Sequence, residues 1–338
     1  MDHTGQIQIS IIIAVYNGRE LIDRCVESVL RQTFKGFELI IVDDASTDGT
    51  WEHLRERYGA DSRIRLIRHE RNLGVSDARN TALKAARGEY IAPIDHDDFL
   101  EPGYLEGLYN AAKSHDADCV LCGVRGVYPD GAEKVIFSAT HDIPGGMPSI
   151  RVACECYSNL STWGRLISRR VIEENDLRYM RGGMEDVYFN FRVMYYCRHY
   201  ISFPDILYNK YERRDSLSRS GLSGNFNYVR TLCEVMDRAA GIIDEIRFRE
   251  PLSQEDEDNI YKFFLFISLK AMRRLFHPNT RQGLYKALAE YLPGRFGKDA
   301  PYIRSFLLLY TIADVRADRL EDENKRLKEQ IRVLQEGK

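Results

Sequence analysis

The sequence predicts an α/β protein with a mostly parallel sheet, helices on both of its faces, and a helical C-terminal region. Two observations support this fold class. In the first 123 residues, short apolar runs alternate with amphipathic stretches at intervals of roughly 27 residues, the length that a strand, a loop and a crossover helix require. From about Asn225 onward the apolar residues recur at helical spacing instead. The five apolar runs are residues 9–16, 37–43, 64–68, 90–95 and 119–123.

The first two runs are continuously apolar, which is typical of strands buried on both faces of a parallel sheet. Between them, Leu21, Cys25 and Val29 have the spacing of a helix. A further helix, with Ala78 and Ala82 on its apolar side, is expected to end near Gly88.

After the fifth run the pattern changes. Asp130-Gly131 predicts a hairpin, and residues 144–148, rich in glycine and proline, predict a loop. Two long helices follow, the second starting near Ser253. We therefore expect a main α/β domain in residues 1–220, a helical accessory domain in residues 221–302 and a tail in residues 303–338.

Composition excludes several classes of protein. Of the 338 residues 44% are hydrophobic, which is unlike a disordered chain, and the net charge of -3 gives no indication of nucleic-acid binding. No apolar run is long enough to span a bilayer and the polar N-terminus lacks an export signal, so we expect a cytoplasmic protein. Seven cysteines fit a reducing compartment. Cys119 and Cys122 are interpreted as buried thiols, with half of a zinc site as the alternative.

Polar residues cluster where the predicted strands end, which is where open parallel sheets bind their ligands. The segments are residues 14–17, 42–49, 72–80 and 94–98. In the last of them Asp95, Asp97 and Asp98 lie together around His96. Carboxylates of this kind suit Mg²⁺ or Mn²⁺ bound to a diphosphate, although aspartates also cap helices. His96 is either a second metal ligand or an outward-facing loop residue.

In this order these segments resemble the family 2 glycosyltransferases, inverting enzymes that use nucleotide-diphospho-sugars and have a GT-A fold. The resemblance covers about residues 9–220. A Rossmann dehydrogenase and a P-loop enzyme are disfavoured because their glycine motifs are absent from the sequence. The motifs that carry the resemblance are Tyr16-Asn17, Asp43-Asp44 with Asp48-Gly49, Asn72-Leu73-Gly74-Val75 with Ala78-Arg79-Asn80, Gly88-Glu89-Tyr90-Ile91, Asp95-His96-Asp97-Asp98, Trp163-Gly164-Arg165-Leu166 and Gly183-Met184-Glu185-Asp186.

The resemblance implies a role for each donor-side residue. Asp44 would accept from a uracil ring, and Arg79 would reach the base or the phosphates. Asp95 would contact the ribose and join Asp97 at a Mn²⁺ or Mg²⁺ ion. The remaining donor-side candidates are Tyr16, which would flank the base, and Ala14 and Asn17, which would contact the nucleotide.

The resemblance also implies how the acceptor is activated. Asp186 would be the general base and Glu185 would orient it or bind acceptor, although an acidic pair also suits a helix N-terminus. Trp163 is either a platform for the acceptor sugar or a core residue. Arg213 or Arg214 would clamp the diphosphate, unless they lie in a solvated basic loop.

The function expected from this resemblance is transfer of a hexose or N-acetylhexosamine from a UDP-sugar to a glycan or lipid-linked glycan in bacterial surface polysaccharide synthesis. A sugar nucleotidyltransferase is one alternative, because it shares the nucleotide-binding domain. A non-catalytic scaffold is another, although the intact carboxylates argue against it.

The tail has a heptad pattern that predicts a coiled coil. Asn324 at an a position favours a parallel two-stranded pair, so a homodimer is expected. The alternative is a single amphipathic helix lying on its own domain or on the inner membrane surface as a peripheral contact. The seam residues are Tyr310, Ala313, Ala317, Leu320, Asn324, Leu327, Ile331 and Leu334.

Overall fold

The structure is a computed structural model that describes residues 7–155, 160–212 and 228–273. The chain divides into two compact units, Met1–Ser216 and Leu217–Lys338. The domain boundaries expected at residues 220 and 302, and the coiled-coil tail, lie outside the described residues and stay predictions.

Four strands form the parallel half of the sheet in the order β3-β2-β1-β4. They are β1 (Ile9–Val15), β2 (Phe37–Asp43), β3 (Ile64–Arg68) and β4 (Tyr90–Asp95). Between them lie the helices α1 (Ile22–Leu30), α2 (Thr50–Tyr58) and α3 (Val75–Ala85). The strand and helix predictions for this half are confirmed. β1 and β2 are buried along almost their whole length, as their continuous apolar sequence indicates.

The second half of the first unit extends the same sheet in the order β4-β9-β6-β10-β5. Its strands are β5 (Phe99–Leu100), β6 (Cys119–Val127), β7 (Glu133–Phe137), β8 (His141–Pro144), β9 (Arg165–Ser168) and β10 (His199–Tyr211). Its helices are α4 (Tyr104–Ser114), α5 (Met147–Glu155), α6 (Arg169–Glu174) and α7 (Glu185–Tyr196).

In this half of the sheet the prediction of a mostly parallel arrangement is wrong. β9 runs antiparallel to both of its neighbours, and β5, β7 and β8 are antiparallel as well. The sheet is therefore mixed. The antiparallel strands are short, β5 having two residues and β9 four, so they carry too few residues for a periodic signal.

The hairpin predicted at Asp130-Gly131 is confirmed between β6 and β7. Gly131 has a φ of +84°, and the Ala132 N–H donates to the Asp130 carboxylate at 3.0 Å. The loop predicted over residues 144–148 is shorter than expected because α5 already begins at Met147. Pro148 occupies the first turn of that helix, where a missing N–H costs no hydrogen bond.

Cys119 and Cys122 lie in β6 with both side chains fully buried, as the thiol interpretation predicts. Burial raises the pKa of Cys119 to about 11 and that of Cys122 to about 12, so both stay protonated at neutral pH. A zinc site requires thiolates. The residues that the structure describes contain no cluster of three or more His, Cys, Asp or Glu side chains arranged to hold a metal.

Strand register defines two edges of this sheet. Ala14 lies opposite both Val42 and Asp95, so the segments that follow β1, β2 and β4 meet at one edge, here called the carboxyl edge. The opposite edge, where β1, β2, β4 and β6 begin, is called the amino edge. Its polar residues include Ser10, Glu38, Arg87 and Asp118.

The second unit is described for two helices, α8 (Tyr228–Arg249) and α9 (Gln254–Arg273), which pack against each other. α9 begins after Ser253, as predicted. The Asp256 N–H donates to the Ser253 hydroxyl at 3.1 Å, which is the bond of an N-cap residue, and that hydroxyl donates to the Asp256 carboxylate at 2.7 Å. Within the described ranges, none of the helices has both the length and the hydropathy that a bilayer crossing requires.

Candidate active site

Asp44, the first residue after β2, is buried at the carboxyl edge and bound to the start of α3. Its carboxylate accepts from the backbone N–H groups of Leu73 at 2.9 Å and Gly74 at 2.8 Å. His69 approaches the same carboxylate at 2.6 Å through Nδ1 and lies 3.0 Å from the Thr81 hydroxyl through Nε2. Because a carboxylate accepts only, Nδ1 is the donor in the contact with Asp44. Asp44 is therefore held as an acceptor in a fixed orientation.

The end of β1 and the segment after it border Asp44 and contain three predicted contacts. Tyr16 is 46% exposed, so its ring is accessible at the edge. Asn17 has a φ of 52° and accepts from the Thr47 N–H at 2.9 Å, while its own N–H donates to the Ser46 hydroxyl at 2.9 Å. Asn17 thus ties the loop after β1 to the loop after β2. Ala14, the third of them, lies inside β1 between Val42 and Asp95.

The three carboxylates of the acidic turn after β4 differ in burial. Asp98 is buried, and it accepts from the Tyr208 hydroxyl at 2.6 Å and the Tyr211 N–H at 2.8 Å. Burial, with the charges of Asp95 and Asp97, raises the pKa of Asp98 well above its ordinary value. Asp98 therefore fastens the turn to β10. Asp95 and Asp97 are only half-buried, which leaves them accessible from the edge.

Arg24 holds the same turn from the other side. Its Nη2 donates to the Asp97 carbonyl at 2.8 Å, and its guanidinium lies 4.6 Å from the Phe99 ring centroid and 4.1 Å from that of Tyr211. His96 is half-buried near Gly18, where an added Cβ would come within 2.7 Å of its ring. The turn is thus fixed by contacts on β10 and α1 while two carboxylates remain accessible.

This arrangement fits a divalent cation bound mainly by substrate. Mg²⁺ and Mn²⁺ are commonly held by one or two protein carboxylates, with phosphate oxygens and water supplying the other ligands. Asp97 and Asp95 are the accessible pair, and Asp98 is committed to structural hydrogen bonds. The turn therefore offers two carboxylates, the number that such an ion needs from the protein.

Arg79, in α3, connects the acidic turn to α7. Its Nη2 donates to Asp95 at 2.9 Å and its Nη1 donates to Glu185 at 2.9 Å. Burial alone would lower the pKa of Arg79, but the charges of Asp95, Tyr179 and Glu185 raise it, so the guanidinium stays charged. Asp95 and Glu185, which are far apart in the sequence, are thereby bonded to the same side chain.

Asp186 occupies the first turn of α7 and has an unusual pKa. Burial, with the negative charge of Glu185, raises that pKa to about 7, and Arg79 opposes the shift. Its Oδ1 accepts from the Val187 N–H at 2.9 Å. Met184, directly before the helix, has a φ of 64°, a strained conformation for a residue other than glycine. A carboxyl group that titrates near neutrality is suited to general base catalysis.

The remaining predicted residues differ in their placement. Trp163 is 7% exposed, with its ring centroid 6.4 Å from that of Tyr208, so the position fits the core interpretation better than an open platform. Arg213 and Arg214 lie outside the described residues. Of the predicted site residues, the structure joins Asp95, Arg79, Glu185 and Asp186 through ion pairs and electrostatic interactions.

Sequence reasoning did not identify His69, Arg24 or Tyr208. His69 follows β3 directly, at the same edge as Asp44, and that position was the available signal. Arg24 and Tyr208 gave no signal in the sequence, since their contacts span about 70 and 110 residues.

Comparison with known proteins matches the first unit to a described family. Residues 10–174 match the family model described as glycosyl transferase family 2. EpsH of Bacillus subtilis (strain 168), which is named a glycosyltransferase, is 33% identical over 196 residues, covering 56% of each protein. A chondroitin synthase of Escherichia coli is 47% identical over 124 residues, covering 36% of this chain and 18% of the synthase. The chain therefore spans about half the length, or less, of these curated relatives.

The fold has a counterpart among solved structures. S. aureus TarS 1–349, solved in complex with UDP-GlcNAc, aligns with a TM-score of 0.67 at 21% identity, over 85% of this chain and 81% of that one. This likeness shows a GT-A-like fold. Residues 10–174 thus match a glycosyl transferase family 2 domain.

Proposed function

We propose that this protein transfers a sugar from a UDP-sugar to a glycan acceptor with inversion at the anomeric carbon. The observation that carries the proposal is the Asp186 carboxyl, whose pKa is raised to about 7 at the edge where Asp95 and Asp97 are accessible. The family 2 domain supports the reaction type.

Asp44 is the residue proposed to bind the nucleotide base. Among the described residues three donors hold its carboxylate, and a carboxylate has about four acceptor positions, so these contacts leave one for a ligand. Uracil presents a ring N–H at its Watson–Crick edge, whereas the corresponding ring nitrogen of cytosine is an acceptor and only the exocyclic amino group of cytosine donates there. An acceptor-only group therefore favours UDP over CDP. Tyr16, exposed beside this position, would cover the face of the base.

Asp97 and Asp95 would hold Mn²⁺ or Mg²⁺ together with the diphosphate. When bound, the ion neutralises charge that develops on the departing diphosphate. Arg213 or Arg214, outside the described residues, would add a further positive charge to the leaving group. Asn17 and Ala14 would border the nucleotide through the loop after β1.

Asp186 would accept the proton of the attacking acceptor hydroxyl. As that hydroxyl oxygen bonds to the anomeric carbon, the bond from this carbon to the diphosphate oxygen breaks and UDP departs with the electron pair. Attack from the face opposite the leaving group inverts the configuration in a single displacement. Glu185 would orient the base, and Trp163 would contact the acceptor only if its ring becomes accessible.

The donor sugar is proposed to be a hexose or an N-acetylhexosamine, and the acceptor a glycan or lipid-linked glycan of a bacterial surface polysaccharide. The name of the chondroitin synthase supports a place in polysaccharide synthesis, and that of EpsH supports the transfer of a sugar. The protein would act in the cytoplasm, with at most a peripheral contact at the inner face of the membrane.

Residues 303–338 are proposed to join two copies into a homodimer through a parallel coiled coil. Truncation after Ala313 is expected to leave a monomer with unchanged affinity for UDP, as measured by sedimentation and calorimetry. A truncated protein that still sediments as a dimer would show that another surface joins the copies.

A screen of UDP-, GDP- and dTDP-sugars for thermal stabilisation in the presence of Mn²⁺ tests the proposed donor, since a ligand that binds the native state raises Tm. We expect stabilisation by UDP-sugars that disappears when the metal is chelated. Pyrophosphate release from a nucleoside triphosphate and a sugar phosphate would instead identify a nucleotidyltransferase. Absence of binding by every nucleotide sugar would favour a scaffold.

A further inference from the structure

Arg79 has both of its terminal nitrogens committed to protein carboxylates. Nη1 donates to Glu185 and Nη2 to Asp95, each at 2.9 Å, and the side chain is only 10% exposed. Its guanidinium lies 5.3 Å from the Tyr179 ring centroid, and that ring stacks on Phe189 at 4.0 Å. The group is therefore fixed in position on two sides by ion pairs and on a third by an aromatic face.

These contacts join two parts of the site that the sheet does not connect. Asp95 ends β4 and belongs to the acidic turn, whereas Glu185 begins α7 and precedes Asp186. The two carboxylates are separated by 90 positions in the sequence, and like charges on them would repel. The guanidinium offsets that repulsion and, because its donors form a rigid planar fork, sets the separation of the two carboxylates.

We propose that Arg79 is a positioning residue that holds the acceptor base at a fixed place relative to the donor carboxylates, and that it is not a ligand of the nucleotide base or of the phosphates. This inference rests on the proposed transfer function and departs from the role that family resemblance gives to Arg79. Each terminal nitrogen keeps a second N–H, but the side chain is only 10% exposed, so little of the guanidinium is left for a nucleotide to reach. A fixed cross-link, in contrast, aligns the hydroxyl and the anomeric carbon for attack.

The variant Arg79→Lys distinguishes the two roles, because an ammonium keeps the charge but cannot span both carboxylates in fork geometry. We expect kcat to fall about 100-fold, since a displacement of about 1 Å in a reacting group costs that much. The Kd for UDP, measured by calorimetry, should stay within about threefold of wild type. A tenfold weaker affinity for UDP, or an unchanged kcat, would overturn the proposal.

Arg87→Lys is the matched control. Arg87 makes the same kind of forked pair with Glu38, but it lies just before β4, at the amino edge. This control variant should change neither kcat nor the Kd for UDP. An equal loss of kcat in both variants would indicate general destabilisation and would also overturn the proposal.

A second measurement tests the cross-link without substrate. Thermal unfolding of Arg79→Lys, Glu185→Gln and the double variant forms a double-mutant cycle, and contact between the two residues predicts that the Tm shifts are not additive. Additive shifts would overturn the cross-link. If wild-type protein binds no UDP-sugar, the proposed function fails, whereas the cycle still decides the role of Arg79.

Discussion

At the amino edge, Glu38 accepts four hydrogen bonds, from the Ser10 hydroxyl at 2.7 Å, the Arg87 N–H at 2.8 Å and two guanidinium nitrogens of Arg87. At the carboxyl edge, Asp186 receives the Val187 N–H and lies beside a second carboxylate, Glu185. Glu38 is buried and Asp186 is half-buried. The charges around them differ in sign, positive beside Glu38 and mainly negative beside Asp186.

The pKa of each carboxyl group is shifted in the direction that the neighbouring charges predict. Burial would raise the pKa of Glu38, but bonds from Arg87 and Ser10 outweigh it and the pKa is lowered. Asp118, at the same edge, also has a lowered pKa, because bonds from Arg198 and Arg170 outweigh its burial. At the carboxyl edge, burial and neighbouring carboxylates raise the pKa of Asp186 to about 7.

This difference shows that a buried carboxylate does not by itself identify a catalytic site. At the amino edge, arginine pairs stabilise the charged form, which strengthens the fold and leaves no reactive group. At the carboxyl edge, the charged form of Asp186 is disfavoured, which costs stability at neutral pH and supplies a proton acceptor. Substitutions at the carboxyl edge should therefore change the rate of transfer, whereas substitutions at the amino edge should change stability.

The largest effect is expected for Asp186→Asn, which removes the proton acceptor and keeps the shape of the side chain. Transfer should slow by about 10³-fold or more, because general base catalysis contributes about 10²–10⁴-fold and no carboxylate remains on that side chain. The Kd for UDP should be nearly unchanged. Transfer assays and calorimetry on the same preparation check this, and a wild-type rate would remove Asp186 from the mechanism.

A smaller loss is expected for Asp97→Ala, which removes one proposed metal ligand. Affinity for UDP should fall about 10–100-fold and lose its dependence on Mn²⁺, as measured by calorimetry with and without the ion. The matched controls are Cys119→Ser and Cys122→Ser, which should leave metal content unchanged. Zinc bound to the cysteine pair in purified protein would contradict this assignment.

The next largest expected effect is the change in the rate of transfer with pH. A base with a pKa of about 7 works only when deprotonated, so kcat/KM should rise about tenfold per unit below pH 6 and level off above pH 8. A flat profile between pH 5 and 9 would show that Asp186 titrates elsewhere or is not the base.

The smallest effect on catalysis is expected for Glu38→Gln at the amino edge. The rate should stay within about twofold of wild type, while the free energy of unfolding falls by about 1–3 kcal/mol through weakened charge-assisted bonds. Because the pKa of Glu38 is lowered from 4.5 in the folded state, its contribution to stability is present above that pH and is lost as pH falls. Urea unfolding at pH 7 and pH 4 should therefore show a larger difference between the proteins at pH 7. A similar difference at both pH values would assign the effect to packing.

Sequence reasoning located the carboxyl edge because strand ends are visible as polar residues after apolar runs. Asp44 and Asp95 were found in that way, and the pair at Asp186 was found through resemblance. The same reasoning did not find the Arg79 bridge, since its two carboxylates lie 16 and 106 positions away and only packing brings them together. The antiparallel strands β5, β8 and β9 were missed for a related reason, because their pairing depends on partners distant in the sequence.

The most direct test of the contrast between the edges requires no donor or acceptor. Carboxyl ¹³C NMR resonances of Asp186 and Asp118, assigned through the variants Asp186→Asn and Asp118→Asn, can be followed in one pH titration of the wild-type protein. We predict a midpoint of about 7 for Asp186 and one below 3.8 for Asp118. If both carboxyl groups titrate together near 3.8, the carboxyl edge does not hold a base suited to neutral pH, and the account of this site is wrong.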